Sequence, residues 1–260
     1  MLEISEYTRF IHSLAVKSGE VIRSYYAMDN IVLETKDNQT PVTRADREAE
    51  ALMRELIRKT YPDHGIIGEE FGEDNASAEF VWTLDPIDGT ISFICGCPLF
   101  GTLVGLLHER RPVIGAINLP VLNQLCIGDC KQTTVNGRVV QCRNITRLSE
   151  AVLLTTDIVK IMEKHTNTVF DSLLGKTRLF RTWGDCYGYL LVASGKADIM
   201  IDLDMAIWDI MPIIPIIKGA NGVITTWPGN DASHGTQCLA TNHVLHSRVL
   251  EVLKRQRTSY

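Results

Sequence analysis

Residues 80–94 run from an apolar stretch, Phe80 to Leu84, straight into Asp85-Pro86-Ile87-Asp88-Gly89-Thr90 and on into a second apolar stretch. The first stretch has the length and composition of a buried strand. Pro86 lacks the amide proton a sheet ladder needs, and Asp88-Gly89 favours a tight turn. The segment is therefore expected to end a strand at Asp85 and to start a short helix at Thr90. Both carboxylates and the Ile87 carbonyl then point into one small volume. Two ionised carboxylates about 4 Å apart repel by roughly 4 kcal/mol at an effective dielectric near 20, so such a cluster needs a cation. All-oxygen ligands select Mg²⁺, Mn²⁺ or Ca²⁺ rather than zinc. Asp-Pro and Asp-Gly are also common turn formers, and the hexapeptide alone fits a plain turn as well.

A chain of 260 residues with 45% hydrophobic content can bury a substantial core, as one large domain or two interleaved halves. Its net charge of -5 comes without a long single-sign run, which argues against a nucleic-acid partner. The N-terminus lacks the basic start and apolar stretch of a secretory signal. The longest apolar region, 206–217, is interrupted by Asp209, Pro212 and Pro215 and is too short to span a bilayer. A cytoplasmic protein without a membrane partner is expected. Seven cysteines at irregular spacing read as reduced, mostly buried thiols, and Cys95, Cys97, Cys126 and Cys130 find no further ligands to complete a zinc set. His243 and His246 have helical spacing but no neighbouring acid, and read as residues of a surface helix.

Apolar periodicity predicts amphipathic helices over 4–26 and 44–61, the second stopped by Pro62 and Gly65. Short apolar runs at 66–67, 80–84, 102–107, 113–118 and 125–128 read as strands. Asn136-Gly137 between 133–135 and 138–140 marks a two-residue hairpin, because type I′ turns need positive φ at both central positions. The first sheet is thus at least partly antiparallel. Beyond residue 146 strands and helices alternate: strands at 151–156, 177–181, 197–202 and 222–226, helices at 160–174, 184–194, 209–219 and from 242. This pattern gives an N-terminal α+β half, 1–145, and a C-terminal α/β half, 146–260, each with its own sheet. No linker separates them, so they are expected to pack as one unit.

Further acids stand at element ends. Gly68-Glu69-Glu70 follows the Ile66-Ile67 strand, Trp208-Asp209 opens a helix whose dipole favours an anion, and Asp46 begins the second helix, where capping alone would explain it. Gly68-Glu69-Glu70, the Asp85 to Thr90 hexapeptide and Trp208-Asp209, in this order and spacing, resemble the inositol monophosphatase superfamily of metal-dependent, lithium-sensitive phosphatases. The likeness covers essentially the whole chain, including Val42-Thr43-Arg44-Ala45-Asp46 and Gly219-Ala220-Asn221-Gly222.

The resemblance implies an α+β / α/β layered sandwich of the αβαβα type, with two sheets, in a homodimer. It implies that Glu69, Asp85 and the Ile87 carbonyl bind a first Mg²⁺ and that Asp85, Asp88 and Asp209 bind a second, with a weaker third touched by Glu69 through water. Glu70 would stand behind these ligands, and Lys36 is either near the same loop or a solvated lysine. Thr90, hydrogen-bonded to Asp46, would orient the attacking water, and the Gly89 and Thr90 amides would hold phosphate oxygens. The implied activity is a two-metal phosphomonoesterase on a small phosphorylated alcohol, with in-line displacement and no covalent phosphoenzyme. The sequence departs from relatives at Ile91, often polar there, and at Asn221, usually glycine.

The stretch Arg181 to Tyr189, with Trp183-Gly184-Asp185-Cys186 at its centre, looks like the histidinol-phosphate phosphatase branch. There an acid matching Asp185 pairs with the substrate's ammonium group, whereas an acid matching Asp202 binds sugar hydroxyls in inositol-specific members. Both acids are present, and the resemblance implies histidinol phosphate as the first reading, with inositol 1-phosphate and other sugar phosphates as alternatives. A helix-capping Asp185 and a solubilising Asp202 also fit. A member of the fold that works through RNA or protein contacts is the alternative from another class. Intact ligand positions and the lack of a basic, aromatic-rich stripe argue against it.

Overall fold

The computed structural model describes residues 4–26, 33–35, 41–164 and 167–255, with backbone alone at 33–35, 41–43, 164, 167–169 and 255. Helix α1 (Ile4–Tyr26) precedes a two-stranded antiparallel ribbon of β1 (Leu33–Thr35) and β2 (Pro41–Thr43), and α2 (Arg44–Thr60) follows. Ile11, Leu14 and Ile22 of α1 and Ala49, Met53 and Ile57 of α2 form fully buried stripes at helical spacing. Next come β3 (Gly65–Gly68), β4 (Gly72–Asp74), β5 (Phe80–Asp88), the short helix α3 (Thr90–Ile94), β6 (Gly101–His108), β7 (Arg111–Leu119), β8 (Gln124–Gly128), β9 (Thr133–Val135) and β10 (Arg138–Val140). The strands form one eight-stranded sheet in the order β10-β9-β8-β7-β6-β5-β3-β4, in which only the β3–β5 pair is parallel. The expected hairpin joins β9 and β10, with φ of 49° at Asn136 and 75° at Gly137.

The second half runs β11 (Val152–Leu154), α4 (Ile158–Lys164), α5 (Asn167–Leu174), β12 (Leu179–Arg181), α6 (Asp185–Ala193), β13 (Ile199–Leu203), α7 (Ile207–Gly219), β14 (Gly222–Thr225), β15 (Gln237–Asn242) and α8 (His243–Arg255). Its sheet has the order β12-β11-β13-β15-β14; β12, β11 and β13 are parallel, and β15 is antiparallel to both neighbours. The expected helix over 160–174 is two helices, with residues 165–166 outside those described. Strand β15 has no counterpart in the sequence reading.

The layers follow from which faces are apolar. Alternate residues of β6 face opposite ways: Val104 and Leu106 pack with Ile11, Met53 and Ile57 under α1 and α2, while Leu103 and Leu107 pack with Leu190, Ile213 and Ile217 of α6 and α7. On β13, Met200 turns to that same central layer, and Ile199 and Ile201 turn to Phe170, Leu245 and Val249 of α5 and α8. The result is a five-layer αβαβα sandwich. Helix α7 lies between the two sheets, which explains why residues 206–217 are so apolar: a helix covered on both sides needs no polar face. Its close approach needs a glycine, since a Cβ on Gly115 would lie 1.8 Å from the Pro212 carbonyl oxygen. Among the described residues no helix is long and apolar enough to cross a membrane.

One expectation needs correction. Strand β5 does not stop at Asp85 but continues through Pro86 to Asp88. Asp85 pairs with Leu103 and Asp88 with Gly101, so a β-bulge lies between them. A bulge leaves one residue out of the ladder, which is where a proline without an amide proton can sit.

Candidate active site

The end of β5 and the start of α3 form the floor of the site. Gly89, at φ 86°, makes the turn between them in the left-handed region that favours glycine. The Thr90 hydroxyl donates to the Ile87 carbonyl at 3.0 Å. A hydroxyl has one proton, so the Thr90 to Asp46 hydrogen bond implied by the resemblance requires that this hydroxyl rotate.

Asp85, Asp88 and Asp209 come together, with one carboxylate oxygen from each within 4.8 Å of the others. Asp209 reaches the cluster from the first turn of α7, where its carboxylate accepts the Ala206 amide at 2.8 Å. The Glu69 amide donates to the Leu84 carbonyl at 3.1 Å, which sets Glu69 beside Asp85 across the parallel β3–β5 pair. Burial, then the charges of Glu69, Asp88, Asp209 and Asp46, push the Asp85 carboxyl far above the usual carboxylate range. Burial and the charges of Asp185 and Asp209 do the same to Asp88, against hydrogen bonds from Cys186. Asp209 is raised to about 7, first by burial and then, against the Ala206 hydrogen bond, by Glu69. One oxygen of Asp85 is buried with no hydrogen-bond partner among the described residues. Crowded carboxylates, a buried oxygen left without a donor and an all-oxygen set together fit a hard divalent cation.

The loop that carries Glu69 is held from beneath. Asp46, Glu50 and Arg54 are spaced by four along α2 and so share one face of it. Glu50, fully buried, accepts the Glu70 amide at 2.7 Å, the Phe71 amide at 3.2 Å and the Arg54 guanidinium at 2.8 Å. Arg54 in turn donates to the Gly72 carbonyl. Neither Glu50 nor Arg54 was singled out from the sequence. The signal was present as an acid and a base four residues apart, directly beside the apolar Ala49 and Met53.

A second pair of acids faces the same space. A cavity of about 170 Å³ is lined by Asp88, Asp209, Asp185, Asp202, Thr156 and Lys160. Asp185 opens α6 at φ 49°, with Gly184 as the capping residue, so capping does not account for Asp185. Its carboxylate lies against Gly89, 2.9 Å from where a Cβ on that residue would stand. The next amide, of Cys186, donates to Asp88. Asp202, on β13, is 5% exposed and therefore not a solubilising strand-end residue. Burial pushes Asp202 up to about 7 against hydrogen bonds from Thr156, and burial pushes Asp185 up to about 6 against the charge of Lys160.

The remaining expectations fall as follows. Lys36 lies outside the described residues. Glu70 sits in the β3–β4 turn, its amide bound to Glu50. Ile91, 62% exposed, stands on the first turn of α3. Asn221 has φ 59° just past α7, a left-handed position that asparagine tolerates better than most residues, which accounts for its replacing glycine. His246 is not a surface residue: it is buried, with its ring nitrogens 3.0 Å from the hydroxyls of Thr225 and Thr241. All seven cysteines are free thiols, three of them buried.

The five-layer sandwich with an acid cluster at the end of a bulged strand defines a class of metal-assisted phosphatases. The model of the inositol monophosphatase family matches residues 3–258, and the chain belongs to that family. It is 36% identical to the chloroplastic bifunctional phosphatase IMPL2 of Arabidopsis thaliana, over 97% of this chain and 76% of that one. It is 37% identical to a histidinol-phosphatase of Chlorobaculum parvum, over 84% of this chain and 85% of that one. Among solved structures, an inositol monophosphatase from Zymomonas mobilis superposes with a TM-score of 0.87 at 32% identity, over 98% of this chain and all of that one (100%). The chain is thus a phosphatase of a family that is Mg²⁺-dependent in general and acts on small phosphorylated substrates.

Proposed function

We propose that this phosphatase hydrolyses the phosphomonoester of a small alcohol bearing a cationic amine, histidinol phosphate in particular. The observation that carries this reading is the pair Asp185 and Asp202, which line one cavity with Asp88 and Asp209. Two carboxylates at the alcohol end suit an ammonium group, since a charge-assisted hydrogen bond is roughly twice as strong as a neutral one. Asp202 with Lys160 also suits neutral hydroxyls, which supports inositol 1-phosphate as the second reading.

On this reading Glu69, Asp85 and the Ile87 carbonyl hold one Mg²⁺, and Asp85, Asp88 and Asp209 hold another. Bound Mg²⁺ supplies positive charge to the phosphoryl oxygens and makes a water easier to deprotonate. The Gly89 and Thr90 amides bind a phosphoryl oxygen, and Thr90 and Asp46 orient the water. Asp185 and Asp202 hold the ammonium group and fix the leaving oxygen in line with that water. The homodimer of the family is carried over as part of the same proposal.

The test is Mg²⁺-dependent phosphate release from histidinol phosphate, inositol 1-phosphate and fructose 1,6-bisphosphate, by the wild type and Asp185→Ala. The wild type should favour histidinol phosphate, and Asp185→Ala should lower the ratio of histidinol phosphate to inositol phosphate turnover by about tenfold or more. An unchanged ratio would overturn the amine reading.

A further inference from the structure

Asp185 and Asp202 come from different elements, the start of α6 and the middle of β13, and they are joined through a residue of a third. Thr156 follows β11. Its amide donates to the Asp202 carboxylate at 2.9 Å. Its hydroxyl oxygen accepts the Asp185 amide at 2.8 Å. One residue thus binds the side chain of one acid through its amide and the backbone of the other through its hydroxyl oxygen.

We propose that Thr156 is a positioning residue that sets the spacing of Asp185 and Asp202 and so determines the selectivity for an amine-bearing ester. This rests on the amine reading above. Several features converge on it. Asp185 adopts φ 49°, a left-handed conformation uncommon for residues with a side chain, though aspartate tolerates it better than most. Thr156 enforces it from one side through the Asp185 amide, and Asp88 from the other through the Cys186 amide. Gly184 leaves the room that Thr156 needs, since a Cβ there would sit 2.3 Å from the Thr156 Cα. In that conformation the Asp185 carboxylate is carried against Gly89, next to the phosphate loop. Asp202 is held by the Thr156 amide, which stays when the hydroxyl is removed, so loss of the hydroxyl releases Asp185 more than Asp202. Lys160 lines the same cavity and its charge already acts on Asp185, as expected of a place that draws a cation.

An ammonium group presents its donors in a fixed tetrahedral arrangement, so bonding two carboxylates at once depends on their separation. A neutral polyol with many hydroxyls can re-pair when one acid moves. Loss of the Thr156 hydroxyl should therefore act on binding of the amine-bearing ester and leave phosphoryl chemistry in place.

The experiment compares wild type, Thr156→Val and Thr156→Ser on histidinol phosphate and inositol 1-phosphate at saturating Mg²⁺. Thr156→Val keeps the shape and the amide and removes the hydroxyl. It should raise KM for histidinol phosphate about tenfold with kcat within about twofold, and leave kcat/KM for inositol 1-phosphate within about threefold. Thr156→Ser should restore the wild-type KM. An equal loss on both esters, or a fall in kcat alone, would overturn the proposal, as would a serine variant that behaves like valine. Should Thr156→Val not fold, Thr156→Ala is read in the same way. If Asp185→Ala shifts the substrate ratio and neither hydroxyl-free variant does, the role of Thr156 fails alone. If Asp185→Ala leaves the ratio unchanged, the amine reading itself has failed.

Discussion

The carboxylates proposed for metal and those proposed for the alcohol lie in one site, but they are held in opposite ways. In the set proposed for metal, Asp85, Asp88 and Asp209 crowd within 4.8 Å, and a buried oxygen of Asp85 has no hydrogen-bond donor among the described residues. In the pair proposed for the alcohol, Asp202 is bound by the Thr156 amide, and Asp185 is anchored through its own amide to the Thr156 hydroxyl oxygen. The first arrangement is stable as ionised groups only with a cation present. The second is largely complete within the protein, and its donors set geometry rather than neutralise charge. A site can thus combine a part that waits for its ligand with a part that is organised beforehand.

The sharpest way to break this contrast is at Asp88. Asp88→Asn should lower Mg²⁺-dependent turnover by at least about a hundredfold while the fold persists, and in EDTA its melting temperature should match or exceed that of the wild type because a repulsion is relieved. Retained turnover would contradict the two-metal assignment. A lower melting temperature in EDTA would contradict the crowding argument.

Next in size is the clamp below the Glu69 loop. Glu50→Gln leaves the Arg54 guanidinium buried without its counter-ion and should cost about 3–5 kcal/mol in chemical denaturation. Arg58→Ala, which removes the exposed pair between α2 and Asp74 of β4, should cost less than about 1 kcal/mol. If the two losses were equal, the Glu50–Arg54 pair would not be what fixes the loop.

The smallest effects lie in the pH dependence of melting. Asp209 and Asp202 are both raised from 3.8 to about 7, so the folded state binds protons more tightly and stability falls as pH rises through about 7. In EDTA both should contribute; Mg²⁺ should remove the share of Asp209 and leave that of Asp202. His246 acts with the opposite sign. Burial lowers it from 6.5 to about 4, so its stabilising contribution is full above 6.5 and lost as pH falls from there through about 4. His246→Gln should flatten the acid limb by up to about 1.4 kcal/mol per pH unit at the steepest point. A Mg²⁺-insensitive profile between about pH 4 and 7 would remove the distinction between the two groups of acids.

Much of this was legible in the sequence, and what was not has local causes. Helices α1 and α2 carry strong periodicity, and Asn136-Gly137 has few alternatives to a hairpin. The hexapeptide at Asp85 to Thr90 declared itself by combining turn formers with acids. Strand β15 was missed because Cys238, Leu239 and Ala240 are flanked by Gln237, Thr241 and Asn242, a short apolar run with weak strand preference. His246 was misjudged because helical spacing says nothing of Thr225 and Thr241, which enclose the ring from β14 and β15. Thr156 gave no sign at all: its importance comes from two residues 29 and 46 positions further along the chain.

The bulge in β5 has a consequence of parity. In an unbroken strand, residues three apart point to opposite faces, so Asp85 and Asp88 would be divided between the two sides of the sheet. The single extra residue changes odd to even: Asp85 pairs with Leu103 and Asp88 with Gly101, two positions that share a face. The irregularity of this segment is therefore as strict a constraint as its composition. Straightening the strand between Asp85 and Asp88 without shortening it would keep every carboxylate in the chain and still send one of them into the wrong half of the molecule.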